Sequence, residues 1–367
     1  MRSLSKEPRQ QVLLSECHSC SWGHADLCNG PRDAATYLMQ GENFISCLDT
    51  SRRETMFWDT FKRTVPPSSR SPSDLNDIPY FIPTITESGT KISDDFANNT
   101  FGISLGKIIG KRGNLSYSNV DQIKSKFGLP SDSDLVLIGT SPDPQLENLW
   151  KIHERFGVFE RIANMGFIWV TSLTYSVWID DFPRPDQLRN QYRNLWTYDL
   201  FTYYGVQCIP FFFPVEDIDF QNLAIWLAKR PSIKTIGIYA RYHHQEVEFQ
   251  RLLVYMERIQ NLTDNDVNFL VCGIGKGENI ARLKAHFNCF FENSKMFEKT
   301  IHGEICDSSL IYSPSNLSID KLFHVNFEHS MDFCKPTENR PIIYLKKPKV
   351  RPQKPVAQLP CLEQVRS

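Results

Sequence analysis

Leu135-Val136-Leu137-Ile138-Gly139 opens the stretch that decides the fold. Behind it Leu146, Leu149, Trp150, His153, Phe156 and Phe159 fall at helical spacing as far as Gly166, and Phe167-Ile168-Trp169-Val170-Thr171 is the next apolar run. A short unbroken apolar run is what a parallel strand covered on both faces requires, and an amphipathic stretch between two such runs makes a βα unit. The rhythm continues outward. Further runs lie at 206–213, 233–240, 267–272 and 289–291, and each gap holds one-faced helical spacing: Leu188, Tyr192, Leu195, Trp196 and Leu200, then Phe220, Leu223, Ala224 and Leu227, then Phe249, Leu252, Leu253, Met256 and Ile259. Strand starts at 135, 167, 206, 233, 267 and 289 recur near the ~30 residues of a βαβ unit.

Working toward the N-terminus, residues 80–85 and 101–109 are two further strand candidates, and Gly110-Lys111-Arg112-Gly113 is read as a hairpin turn onto 115–117. Eight strands predict an α/β (β/α)8 TIM-barrel-like domain, irregular because no helix is legible between the first two strands; the alternative is an open doubly wound parallel sheet. The domain spans 77–306. Residues 1–76 form a cysteine-bearing segment ending in the Pro/Ser-rich stretch 65–73, and 307–367 form a C-terminal extension.

Composition narrows the classes. The 367 residues carry 41 Lys and Arg against 42 Asp and Glu, so no global charge draws the protein to nucleic acid or membrane. No apolar stretch reaches the ~20 residues of a spanning helix, and the first residues lack a signal-peptide core, which predicts a cytoplasmic protein with no membrane partner.

In a barrel, chemistry belongs at the C-terminal strand ends. The loop Cys272-Gly273-Ile274-Gly275-Lys276-Gly277 joins a strand to a helix. Its glycines let backbone N–H groups approach a phosphate, with Lys276 beside them. A tight turn explains the same glycines, and the spacing matches neither standard phosphate-loop motif. Arg241-Tyr242-His243-His244 offers an anion anchor and an imidazole acid/base, or ordinary polarity at a helix start. Glu216, Asp217 and Asp219 suit Mg²⁺, and equally suit a helix N-terminus.

The connection running from Thr171 through Ser172, Tyr175, Ser176, Asp180 and Pro183 to Asn190 and Arg193 resembles the central signature of an uncharacterised bacterial and phage domain-of-unknown-function family. That signature is a Ser-Pro-Asn-aromatic-Ser run, an Asp, a Pro and an Asn-x-x-Arg pair; Leu173 and Thr174 stand here at its Pro and Asn positions. The resemblance covers about 77–300 and implies the fold and the importance of these positions, without implying a reaction.

The ends form two further candidates. Cys17-x-x-Cys20 with Cys28 and Cys47 has the ligand number for zinc or an iron–sulfur cluster, against incidental thiols on an irregular arm. Residues 340–367 are basic and proline-interleaved, as in a tail that makes weak nucleic-acid contact or is merely solvated. The functional expectation is an enzyme binding a phosphate-bearing small molecule or nucleotide. Asp180 or His243 would serve as acid/base, with Ser172, Tyr175, Ser176, Asn190, Arg193, Arg241, Gly273, Gly275, Lys276 and Gly277 around the substrate. The alternative is a nucleic-acid-associated accessory protein of a mobile element.

Overall fold

Eight parallel strands run in the order β5-β4-β3-β2-β1-β8-β7-β6: β1 (Phe81–Ile85), β2 (Thr100–Ser104), β3 (Asp134–Ile138), β4 (Val170–Thr171), β5 (Cys208–Ile209), β6 (Thr235–Tyr239), β7 (Asn268–Cys272) and β8 (Cys289–Asn293). The structure is a computed structural model and describes residues 78–177, 184–243, 245–263 and 267–336. The connections carry α1 (Leu105–Ile108), α2 (Val120–Phe127), α3 (Asp143–Phe156), α4 (Val158–Ala163), α5 (Arg184–Tyr203), α6 (Asp217–Ala228), α7 (Glu246–Leu262), α8 (Gly277–His286) and α9 (Lys295–Ile301). A small hairpin, β9 (Glu304–Cys306) and β10 (Tyr312–Pro314), then leads to α10 (Ile319–Cys334).

The sheet nearly closes into the expected TIM-barrel-like α/β fold. Seven strand pairs are laddered, and the eighth junction, β5 to β6, is a seam. Pro210 explains it. Lacking an N–H, it ends the β5 ladder, while its carbonyl accepts from Gly237 N–H at 2.8 Å to make a single parallel bridge, Phe211 opposite Gly237. Phe211 N–H turns instead to Ser172 Oγ at 2.7 Å. Thus β5 is much shorter than the apolar run that predicts it.

Alternation divides the core in two. Ile82, Val136, Ile138, Trp169, Ile209, Phe211 and Leu270 fill the barrel, and Phe81, Phe101, Leu135, Val170, Ile236, Phe269 and Phe291 point outward under the helices. Burying each such side chain contributes about 1.5–3 kcal/mol, which favours closure over a flat sheet.

Three departures from the sequence reading have local causes. The expected hairpin at 110–113 does not form: β2 stops at Ser104, one turn of helix follows, and only the bridge between Ile109 and Leu115 remains antiparallel. Helix α2 was not foreseen, although Asn119 caps it by accepting from Gln122 N–H at 3.0 Å and Gly128, at φ 67°, ends it. Between β1 and β2 lies only a 3-10 turn, Asp94–Phe96, and α10 covers this part of the wall from the far end of the chain. Phe323 packs edge-on against Phe96 at 4.9 Å, and Phe327 does the same at 5.3 Å. Residues 307–336 of the expected extension therefore complete the barrel's outer layer.

Candidate active site

Register builds an inward row near the C-terminal ends of β6, β7 and β8: Tyr239 pairs with Cys272, and Cys272 with Glu292. Neighbours in register on a sheet share a face, so these side chains stand side by side inside the barrel. Glu292 is only 6% exposed. Its carboxylate accepts from the Thr84 hydroxyl on β1 and from the Cys272 thiol. Burial pushes its pKa above the ordinary carboxylate range, against the lowering pull of those two donors and of Arg241.

Gly102 makes this arrangement possible. It is the register partner of Thr84, and a Cβ there would fall inside 3.0 Å of Thr84 Oγ1. Its bare backbone lets the hydroxyl turn toward Glu292. On the other side of Cys272, Tyr239 is half-buried and accepts a hydrogen bond from Arg241, whose side chain is exposed at the rim. Burial raises the Tyr239 pKa, whereas that hydrogen bond favours the charged form of both partners. A buried carboxyl, a phenol and a guanidinium thus line one side of the mouth, a set suited to proton transfer beside an anionic group.

The glycine loop follows β7 on the same rim. Gly273 is at φ 85°, where a side chain would also press on Arg241 at 3.0 Å; Gly275 leaves room for the Lys295 chain, whose Nζ donates to the Gly275 carbonyl at 2.7 Å; Gly277 lies against the Ser309 carbonyl. Each glycine is thus accounted for by a close neighbour or a left-handed turn. Lys276 is exposed at the N-cap of α8, and His243 is half-buried in the turn after β6.

The connection after β4 leaves the barrel at the same rim, and here Ser172, Tyr175, Ser176, Asn190 and Arg193 of the resemblance come together. Asn190, Asn194 and Thr197, on one face of α5 with Arg193, hold Leu173, Tyr175 and Ser176 by their backbone. Tyr175 N–H donates to Asn194 Oδ1 at 2.8 Å, Leu173 N–H to Thr197 Oγ1 at 3.1 Å, and Asn190 Nδ2 to the Ser176 carbonyl at 2.6 Å. Arg193, 2% exposed, pairs with Glu147 at 2.7 Å and donates to Asn190. Its guanidinium carbon lies 3.8 Å from the Tyr175 ring centroid, and Nε and Nη1 make no hydrogen bond among the described residues. Ser172 is tied to Phe211, and Ser176 Oγ donates to Asp143 at 2.9 Å. These groups shape the wall from within, whereas Arg241 meets solvent.

Asp219 caps α6, accepting from the N–H groups of Val215 and Glu216 at 3.0 and 3.1 Å. Asp180, His244, the four N-terminal cysteines and the basic tail lie outside the described residues. Among the described residues no group of three or more His, Cys, Asp and Glu is placed to hold a metal ion, and no helix is long and apolar enough to cross a membrane.

Glu292 falls among the polar residues that follow the eighth apolar run, whereas Thr84 and Tyr239 carry no sequence signal as site residues. The signal for Glu292 was the acidic residue ending an apolar run, which reads as the start of a loop when β8 is ended at Phe291; the strand continues to Asn293. No protein-family model matches this chain, and no curated relative matches it.

Proposed function

We propose that the chain is an enzyme acting on a small phosphate-bearing or similarly anionic molecule at the C-terminal rim of the barrel. Glu292 serves as the proton donor and acceptor, and Arg241 as the counter-charge. The observation that carries this reading is a carboxyl buried inside the mouth, its pKa raised by that burial, within the electrostatic reach of Arg241. A structural carboxylate in a barrel wall would ordinarily be matched by a buried cation; Glu292 has a hydroxyl, a thiol and a guanidinium that opens to solvent. A carboxyl whose pKa burial has raised holds its proton more readily than a surface carboxyl, as a proton donor must. His243 and Lys276 are the further candidates on this rim, and Asp180 stays a candidate on its sequence position alone.

Thermal shift against nucleotides, sugar phosphates and small carboxylates tests the reading. Stabilisation that disappears in Arg241→Gln is expected, and a panel with no stabilising member refutes it. The basic, proline-interleaved sequence of 340–367 favours a second reading, nucleic-acid contact. Mobility shift with and without that segment decides it, since binding unaffected by the truncation removes its basis.

A further inference from the structure

The inward row does not end at Tyr239. Phe211 faces Gly237 across the seam, and Phe213, two residues further and therefore on the same side, stacks on Phe211 at 6.1 Å between centroids with 3° between ring planes. Gly237 carries no side chain where the Phe211 ring lies; a Cβ there would come within 2.9 Å of that ring. Phe211 is thereby sealed inside the barrel while Phe213 and Tyr239 remain half-buried above it. Tyr242, 52% exposed, stands edge-on to Tyr239 at 6.0 Å and extends the aromatic wall to solvent. The mouth thus has an aromatic end over β5 and β6 and an acidic end over β8, two strand spacings of ~4.8 Å apart, with Arg241 at the rim.

We propose that this mouth takes a planar conjugated ring bearing an anionic substituent, its face on Phe213 and Tyr239, its charge on Arg241 and its reacting edge toward Glu292. This deepens the reading of Glu292 as the acid/base and rests on it. Flat π-faces attract a second flat ring beyond what buried area alone supplies. A saturated ring of similar size cannot match that contact. The anionic group pairs with the exposed guanidinium, and a ring system about two strand spacings across brings its far edge from the aromatic end to the carboxyl.

The experiment is isothermal titration of the full chain with three probes: 2-naphthoate, its fully saturated decahydro analogue, and neutral 2-naphthamide. The expected result is binding of 2-naphthoate about 3- to 10-fold tighter than of the saturated acid, on the scale of an aromatic pair. The naphthamide should bind more weakly than 2-naphthoate, and Arg241→Gln should erase that difference. Phe213→Leu should abolish the preference for the flat ring, and Phe213→Tyr should retain it. Equal affinity for the flat and saturated acids, or no binding of 2-naphthoate, overturns the proposal even if Phe213→Leu does not fold. The acid/base reading fails separately: NMR titration of Glu292 would then show an ordinary carboxylate pKa, whatever the ring preference.

Discussion

Gly102→Ala probes the site through a single methyl group. In the β2 position opposite Thr84, the added Cβ stays at 3.4 Å from Ile82 Cγ2 and 3.5 Å from Thr84 Cα, both ordinary contacts. Only Thr84 Oγ1 lies inside 3.0 Å. The clash is relieved by rotating the threonine, and the rotation removes the hydroxyl from Glu292. A hydrogen bond to a charged group is worth about 1.5–3 kcal/mol, while Gly→Ala returns about 0.4–1 kcal/mol by restricting the unfolded chain. The net loss is therefore about 1–2 kcal/mol at a pH where Glu292 is ionised. In a Thr84→Ala background the obstructing oxygen and the bond are both gone, so Gly102→Ala becomes neutral or mildly stabilising. Urea unfolding of the four proteins measures the coupling. Loss of the Thr84 donor should also raise the Glu292 pKa further, because that bond lowers it. Additivity of the two substitutions within about 0.5 kcal/mol would refute the account of why this position is glycine.

Glu292→Gln should gain stability relative to the wild type as pH rises. The folded-state pKa of Glu292 lies above its ordinary value of 4.5, so the wild type loses stability on passing through the folded pKa while Gln does not titrate; a difference independent of pH in urea midpoints contradicts this. Asp199, raised to about 6 by burial despite the bidentate Arg230 contacts at 2.9 and 3.0 Å, follows the same sign. Arg230→Met should cost about 3–5 kcal/mol at pH 8 and less at pH 5, where a protonated Asp199 needs no counter-charge; an equal loss at both pH values counts against it. Asn194→Ala removes the partner of both the N–H and the carbonyl of Tyr175. It should cost about 2 kcal/mol and accelerate amide exchange at Tyr175, and unchanged exchange there would show that α5 does not hold the loop.

Where burial alone dictates residue type, the fold is legible. The last four residues of β3 and of β7, 135–138 and 269–272, are apolar and buried because both faces are covered there. The seam is harder to read, since it turns on one missing N–H at Pro210 and one side-chain acceptor at Ser172. Helix α5 conceals more. Its apolar spacing pointed to Leu195, which is fully buried, yet Gln191, Arg193, Asn194 and Thr197 are buried too. Polar residues on a helix read as a solvated face, whereas here Asn194 and Thr197 satisfy the backbone of Tyr175 and Leu173, Arg193 pairs with Glu147 and Gln191 donates to Asp219. The candidate site was legible as a rim and not as its residues: Arg241 belonged to the sequence expectation, but Glu292 and Thr84 depend on register between strands that lie 208 positions apart in the chain.

The covering of β1 and β2 by the helix at Ile319–Cys334 also sets an order of assembly. During synthesis the strands emerge first, and Phe96 and Phe101 wait uncovered while more than two hundred further residues are translated. Exposed aromatic surface of this kind invites association between nascent chains. A chain cut short before position 319 retains every barrel strand but leaves that flank sticky, so this helix works as a fastening applied when translation has passed it.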